Sequence, residues 1–287
     1  MRIDFHTHVF PLPFRQDRSR YFPGEPAFMT LYDSLRARMV GVTELLHHMD
    51  ETRIDKSVIF GFPWQNGELA GRHNDYVLEA VQRYPDRLAG LCCFSPFLQG
   101  AARETERCLK AGLAGVGELA VYGDGLTAAV AGTLEEVMAI VRDSGAIALM
   151  HTNEPVGHRY PGKTPMTLGQ IFEFVRRYST NRIVLAHWGG GLPFFALMKR
   201  EVKEALNNVW FDTAASPYLY EPRIYRTVGD IVGFGKILLG SDYPLLSPSR
   251  YLQEMEEAGL SPYELGRVAG ENAADLLGID TSGIRSR

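Results

Sequence analysis

The chain has 287 residues, 45% of them hydrophobic and 22% charged, with a formal net charge of -4. These values suit a well-cored soluble domain and exclude a basic nucleic-acid binder; no apolar run reaches the length of a membrane span, and no signal-peptide pattern precedes the first element. Cys92, Cys93 and Cys108, lacking a C-x-x-C pair, read as buried thiols of a cytoplasmic protein rather than a disulfide framework.

The first element is a strand over residues 2–9 carrying Asp4-Phe5-His6-Thr7-His8. Alternation puts His6 and His8 on one face and Phe5, Thr7 and Val9 on the other, and two imidazoles on one face can grip a single cation. A lone strand histidine is ordinarily a hydrogen-bonded core or surface residue, whereas a buried same-face pair calls for a shared partner. Residues 10–41 form a long connection rich in Pro, Phe, Tyr and Arg, read as an ordered lid over functional groups. Beyond it, Val/Ile/Leu-rich runs at 56–62, 88–95, 114–121, 146–153, 182–188, 209–213 and 236–242 read as further strands. Helical spacing marks 43–51, 74–84, 101–111, 134–144, 168–178, 193–206 and 223–232, and an extra capping helix is read at 261–278, with Ser261-Pro262 at its start and Gly278 as its stop. Eight such units predict an α/β protein with a (β/α)8 TIM barrel, one domain over 1–287; an open doubly wound sheet is the alternative.

In a parallel barrel the C-terminal strand ends converge on one mouth, where chemistry collects. The apolar runs here end in His6 and His8 (strand one), Glu118 (four), His151 (five), His187 (six) and Asp242 (eight). Each alone reads as a satisfied core residue, and Asp242 as a helix cap. Six at matching points of five strands instead form a set suited to Zn²⁺ or a similar divalent ion with an open position. Gly157–Thr164 matches the P-loop pattern, but Glu154-Pro155-Val156 separates it from the strand, and Pro165 removes an amide that a phosphate cradle would need. A nucleotide binder is therefore a minor alternative. Gly189-Gly190-Gly191 reads as a turn demanding small residues.

This constellation resembles the amidohydrolase superfamily of metal-dependent barrels, in particular the amidohydrolase-2 group that includes aminocarboxymuconate semialdehyde decarboxylase and dicarboxylate lactone hydrolases. The likeness runs through Gly270-Glu271-Asn272-Ala273. It implies that His6, His8, His151 and Asp242 bind one ion, zinc ahead of manganese, while His187 assists a bound water or an oxyanion. Glu118 also resembles the fourth-strand glutamate of TatD-like deoxyribonucleases, which bridges two metals; with Glu118 bridging, His151 and His187 would hold a second ion. One ion is favoured and two are kept open.

The expected function is a hydrolase in which metal-activated water attacks an ester, lactone or amide of a small carboxylate-bearing substrate. Asp242 relays the proton and His187 steadies the oxyanion. The alternative is a non-oxidative decarboxylase of the same family; a TatD-like two-metal hydrolase, or a binding protein that keeps the barrel without the chemistry, rank below it. Arg159, Trp188, Asn153 and Trp64 are candidate substrate contacts, and Arg15, Arg18, Arg20 and Arg159 are candidate carboxylate clamps. His47, His48 and His73 read as exposed. The partner is a small molecule, not nucleic acid or membrane, and a homodimer rests on analogy alone.

Overall fold

The computed structural model describes residues 1–123 and 125–280. Its strands are β1 (Ile3–His8), β2 (Lys56–Phe60), β3 (Leu88–Cys92), β4 (Gly115–Leu119), β5 (Ile147–Met150), β6 (Arg182–Leu185), β7 (Val209–Asp212) and β8 (Ile237–Leu238). They pair in sequence order, each parallel to the next. The seam between β8 and β1 is closed by backbone bonds: Phe5 N donates to Leu239 O (2.7 Å), Asp242 N to His6 O (2.9 Å) and His8 N to Tyr243 O (2.8 Å). The expected TIM barrel is thus the observed fold.

The near-continuous apolar strands reflect burial on both faces. Val58, Phe60, Ile147, Leu149, Val184 and Ala186 join one cluster that reaches Ala273, Ala274 and Leu276 of the terminal segment. The alternate residues Ile59, Ala148, Met150, Ile183 and Leu185 join the larger layer packed by the surrounding helices. Among the described residues no helix is long and apolar enough to cross a membrane.

Strand starts match the sequence reading closely, but the ends come earlier. Predicted strand 236–242 shrinks to β8, and His151, His187 and Asp242 lie beyond their strands. Regular pairing also slips in the two strands that carry the other polar groups, between Asp4 and Thr7 and between Val116 and Leu119. These departures turn polar side chains out of the ladder and into the mouth.

The 10–41 connection is ordered, with helices at Leu12–Gln16 and Pro26–Tyr32 and a 3₁₀ turn at Arg18–Tyr21. Phe10, Phe14 and Phe28 are fully buried, and the Phe28 ring lies 4.4 Å from that of Trp64. Buried Glu25 accepts the Gln65 and Asn66 amides (3.1 and 2.7 Å), fastening this cover to the loop after β2.

Outside the 10–41 cover, three further helices among the described residues are absent from the sequence reading: Ala128–Thr133, Ser216–Leu219 and Pro248–Glu257. Predicted helix 193–206 is corrected to Arg200–Ala205, because His187 through Gly191 all take positive φ and lead into a 3₁₀ stretch. The capping helix at 261–278 is broken into Pro262–Gly266, Arg267–Glu271 and Asn272–Leu277. Its Ser261 cap and left-handed Gly278 stop are as read.

Candidate metal centre

The two β1 histidines are oriented by what their Nδ1 atoms touch. His6 Nδ1 donates to the Asp212 carboxylate (2.8 Å) and His8 Nδ1 to Gly61 O (3.2 Å). Both rings stand edge-on against Phe60, at 5.0 and 4.7 Å, on the shared face that alternation predicts. His187, just past β6, likewise donates from Nδ1 to Ala214 O (3.0 Å). In all three rings Nδ1 must donate to an oxygen, which turns Nε2 toward the site, the orientation typical of metal-binding imidazoles.

Those nitrogens converge on two carboxylates. Glu118 places Oε1 at 3.9 Å from His6 Nε2 and 3.5 Å from His187 Nε2, and Oε2 at 3.8 Å from His8 Nε2. It also accepts from His151 Nδ1 at 3.0 Å. Asp242 Oδ1 lies 3.4 Å from His8 Nε2 and 3.7 Å from His6 Nε2. Three overlapping groups result, each with donor atoms within 4.8 Å of one another: His6, His8 and Glu118; His6, His187 and Asp242; Glu118, His151 and His187. The structure thus brings together all six residues singled out at the strand ends. His151 sits on the Glu118–His187 side of the cluster, and Glu118 is the hub.

The electrostatics is that of a cavity short of positive charge. Burial pulls the His6 pKa down, but the charges of Asp212 and Glu118 and the hydrogen bond to Asp212 outweigh it and carry it up to about 10. For His187 burial is likewise overcome, by the Glu118 hydrogen bond and the Asp242 and Glu118 charges, reaching about 9. Burial opposes ionisation of Glu118 and Asp242, yet the surrounding imidazoles hold both below the usual carboxylate range. Imidazoles that would otherwise need protons to balance buried carboxylates are well placed to take a divalent cation in their stead. Two buried atoms, His6 Nε2 and His151 Nε2, have no hydrogen-bond partner at all. An unpaired imidazole nitrogen at such depth is costly, and a coordinate bond would relieve it. The donor set therefore fits a divalent metal.

Local backbone supports the cluster. His187 (φ 55°), Trp188 (φ 59°), Ala215 (φ 56°) and Asp242 (φ 60°) are left-handed non-glycine residues at the ends of β6, β7 and β8, where strain often accompanies function. Gly240 permits the close approach of β8 to β1: a Cβ there would lie 2.8 Å from His6 Cβ and 3.2 Å from Asp212 Cβ.

The expected substrate contacts fare differently. Trp64 and Trp188 are fully buried, with indole N–H groups donating to His73 Nδ1 and Ser216 Oγ (both 2.9 Å). Asn153 is occupied with Thr164: its Oδ1 accepts the Thr164 amide (2.9 Å) and hydroxyl (2.8 Å). Arg159 is exposed on the loop after β5. Arg15 pairs with Glu44 (2.5 Å), and Arg18 donates to the carbonyls of Tyr32, Ser34 and Ala37. In the P-loop-like segment, Lys163 is held by Glu154 (2.6 Å) and by the carbonyls of Val156 and His158, and the next helix starts only at Leu168. This is a pinned loop without the strand–loop–helix unit that a phosphate cradle requires.

His47 is exposed as read, but His48 is half-buried and stacks on Tyr243 (4.3 Å), and His73 is fully buried, donating from Nε2 to Val9 O (2.6 Å). Two acids were missed. Asp212 ends β7 after Val209-Trp210-Phe211, the same signal as its neighbours, and also accepts the amides of His187 and Ala214 (both 3.0 Å). Asp4 lies beneath the site, bonded to the Ser241 amide (2.9 Å) and hydroxyl (2.5 Å); burial raises its pKa to about 6 against those bonds.

A family model described as amidohydrolase matches residues 3–279. The chain is 22% identical to 2-amino-3-carboxymuconate-6-semialdehyde decarboxylase of Dictyostelium discoideum, across 98% of this chain and 92% of that one. Among solved structures, 5-carboxyvanillate decarboxylase from Sphingomonas paucimobilis superposes with a TM-score of 0.76 at 21% identity, covering 98% of this chain and 99% of that one. Dihydroxybenzoic acid decarboxylase from Polaromonas sp. JS666, solved with bound manganese and the inhibitor 2-nitroresorcinol, gives 0.72 at 19% identity over 97% of each chain.

Proposed function

From the premise that this chain belongs to the amidohydrolase family, we propose that it is a divalent-metal-dependent enzyme that releases CO2, without oxidation, from a small planar carboxylic acid. The observation that carries the metal dependence is the imidazole set around Glu118 and Asp242, with two buried nitrogens left unpaired. The full-length likeness to a decarboxylase supports this reaction over the hydrolysis expected from sequence. His6, His8, Asp242 and Glu118 would hold the primary ion. When bound, that ion supplies Lewis acidity that draws electron density from substrate oxygens.

The chain's own groups supply the rest. Asp212 and Gly61 O fix the rings of His6 and His8 through Nδ1, so their Nε2 atoms stay aimed at the site. His187, held by Ala214 O at Nδ1, presents Nε2 to the site and carries a proton there in its imidazolium form. As the bond from the ring or alkene carbon to the carboxylate breaks, its electron pair stays on that carbon. CO2 leaves, and the carbon takes the Nε2 proton of His187, which solvent then replaces. The 10–41 cover limits water access during this step.

Hydrolysis of an ester, lactone or amide is the second reading. It is favoured by Glu118 belonging to two donor groups at once, residues that would hold two ions, with Asp242 as proton acceptor. One comparison tests both. Zinc- or manganese-loaded protein is offered hydroxybenzoates and unsaturated dicarboxylic acids with CO2 monitored, and lactones, esters and amides with acid release monitored. CO2 release that His187→Asn slows at least tenfold supports the first reading; acid release without CO2 overturns it in favour of the second.

A further inference from the structure

The three cysteines are buried as the sequence suggests, but two of them meet. Cys92 and Cys93 are neighbours at the end of β3 and face opposite ways. Cys93 turns toward β4, with its sulfur 3.2 Å from Glu118 O, and Cys92 joins the layer packed by the surrounding helices. The Ala101–Lys110 helix packs there and carries Glu104 and Cys108, one turn apart and so on one helical face. The sulfurs of Cys92 and Cys108 and a carboxylate oxygen of Glu104 all lie within 4.8 Å of one another.

Hydrogen bonds enclose these three groups. Asn74, fully buried on the Gly67–Arg83 helix, donates from Nδ2 to Glu104 Oε1 (2.8 Å) and to Cys92 Sγ (3.4 Å), and its Oδ1 accepts the Cys93 amide (2.8 Å). The Cys108 thiol donates to Glu104 Oε1 (3.5 Å) and the Cys92 thiol to Glu104 O (3.9 Å). Both sulfurs therefore carry protons, and burial holds the Cys92 thiol well above the usual range. Outside them, Arg107 grips Glu104 through Nε and Nη2 (both 2.8 Å) while its Nη1 bonds Asp75 (2.7 Å). The two cysteines are wholly buried, whereas the Glu104 and Arg107 side chains are 16% and 43% exposed, so this ion pair forms the outer wall.

We propose that Cys92, Cys108 and Glu104 form a second metal site, distinct from the barrel mouth, for a thiophilic divalent cation of the zinc and cadmium class. Two sulfurs and a carboxylate oxygen suit such ions, whereas manganese prefers the oxygen and nitrogen donors of the mouth. Loading replaces two S–H bonds by sulfur–metal bonds and releases two protons to solvent. The charge of the ion and that of Arg107 together balance two thiolates and one carboxylate, so no net charge is buried. Arg107 keeps Asp75 as partner while Glu104 turns to the ion, and the loaded site ties β3 to its covering helix. This inference is independent of the reaction proposed above.

The test adds Cd2+ alone to metal-stripped full-length protein and follows the ultraviolet thiolate-to-cadmium charge-transfer band, which the imidazole and carboxylate donors of the mouth do not produce. Wild type should develop the band at one ion per chain, at lower Cd2+ as pH rises. Cys108→Ala should remove it and His8→Ala should leave it. Glu104→Gln, which keeps both thiols, should retain the band but weaken cadmium binding at least tenfold, and it decides the matter if Cys108→Ala does not fold. Elemental analysis should show zinc content falling by one ion per chain in Cys108→Ala with manganese content unchanged. Absence of the band in wild type, its survival in Cys108→Ala, its loss in folded Cys93→Ala, or wild-type cadmium affinity in Glu104→Gln would each overturn the proposal.

Discussion

Asp212→Asn isolates how the barrel presents a histidine to a metal. The wild-type carboxylate is fully buried and accepts three hydrogen bonds, from His6 Nδ1 at 2.8 Å and from the His187 and Ala214 amides at 3.0 Å. Both amides use Oδ1, so the asparagine carbonyl oxygen can take that place and keep them. Its NH2 then replaces Oδ2 opposite His6 Nδ1, where two donors meet. His6 resolves the clash by moving its proton to Nε2, the atom that faces Glu118 and Asp242, and so loses the lone pair a metal needs. Loss of such supporting partners lowers metal affinity by about 10–100-fold, which corresponds to about 1.4–2.7 kcal/mol. Competition titration against a chromophoric chelator measures this directly. The melting temperature of metal-free protein gives the separate structural effect, about 1.5–3 kcal/mol for one charge-assisted bond. Wild-type zinc and manganese affinity in a folded Asp212→Asn protein would refute the reasoning.

Metal counting separates the ligand sets. Elemental analysis after saturation should show His151→Ala keeping the ion held by His6, His8 and Asp242, and His8→Ala losing it; complete metal loss from His151→Ala would return His151 to the primary set read from sequence. His73 gives a pH signature. Burial, against its bond to Val9 O and with the His8 charge, lowers its folded pKa to about 4 from 6.5. The unfolded chain therefore binds more protons between those values, so this contribution is complete above pH 6.5 and lost as pH falls to 4, up to about 3 kcal/mol. Urea unfolding across that window should be steeper in pH for wild type than for His73→Gln, and identical slopes would refute the assignment. Gly240→Ala should destabilise by about 1–3 kcal/mol through overpacking and weaken metal binding by displacing His6; an unchanged melt and metal content would show that the seam can yield.

Sequence carried the barrel because its signal is repetitive: eight apolar runs and their spacing survive an error at any one end. It carried the cluster because His6, His8, Glu118, His151, His187 and Asp242 each interrupt an apolar run at the same point of the fold. Asp212 obeys the same rule, but its contact with His6 Nδ1 shows only in the tertiary structure. The arginines and tryptophans misled for a different reason. Composition tells which loops hold donors, but whether Arg18 meets substrate or three backbone carbonyls, or Trp188 meets solvent or Ser216, is decided by tertiary packing. Helix 193–206 failed because a run of left-handed residues leaves no trace in hydrophobic periodicity.

The seam between first and last strands also sets the timetable of assembly. Asp4 and Ser241, hydrogen-bonded beneath the site, are 237 positions apart in the chain, so a ribosome releases His6 and His8 long before Asp242 exists to join them. Through that interval the two imidazoles lack their carboxylate partners, and a bare histidine pair offers little geometry with which to tell one divalent ion from another. Closing so long a loop is also the slow step that topology imposes on such a fold. Only when the seam closes does Asp242 come to stand beside His6 and His8.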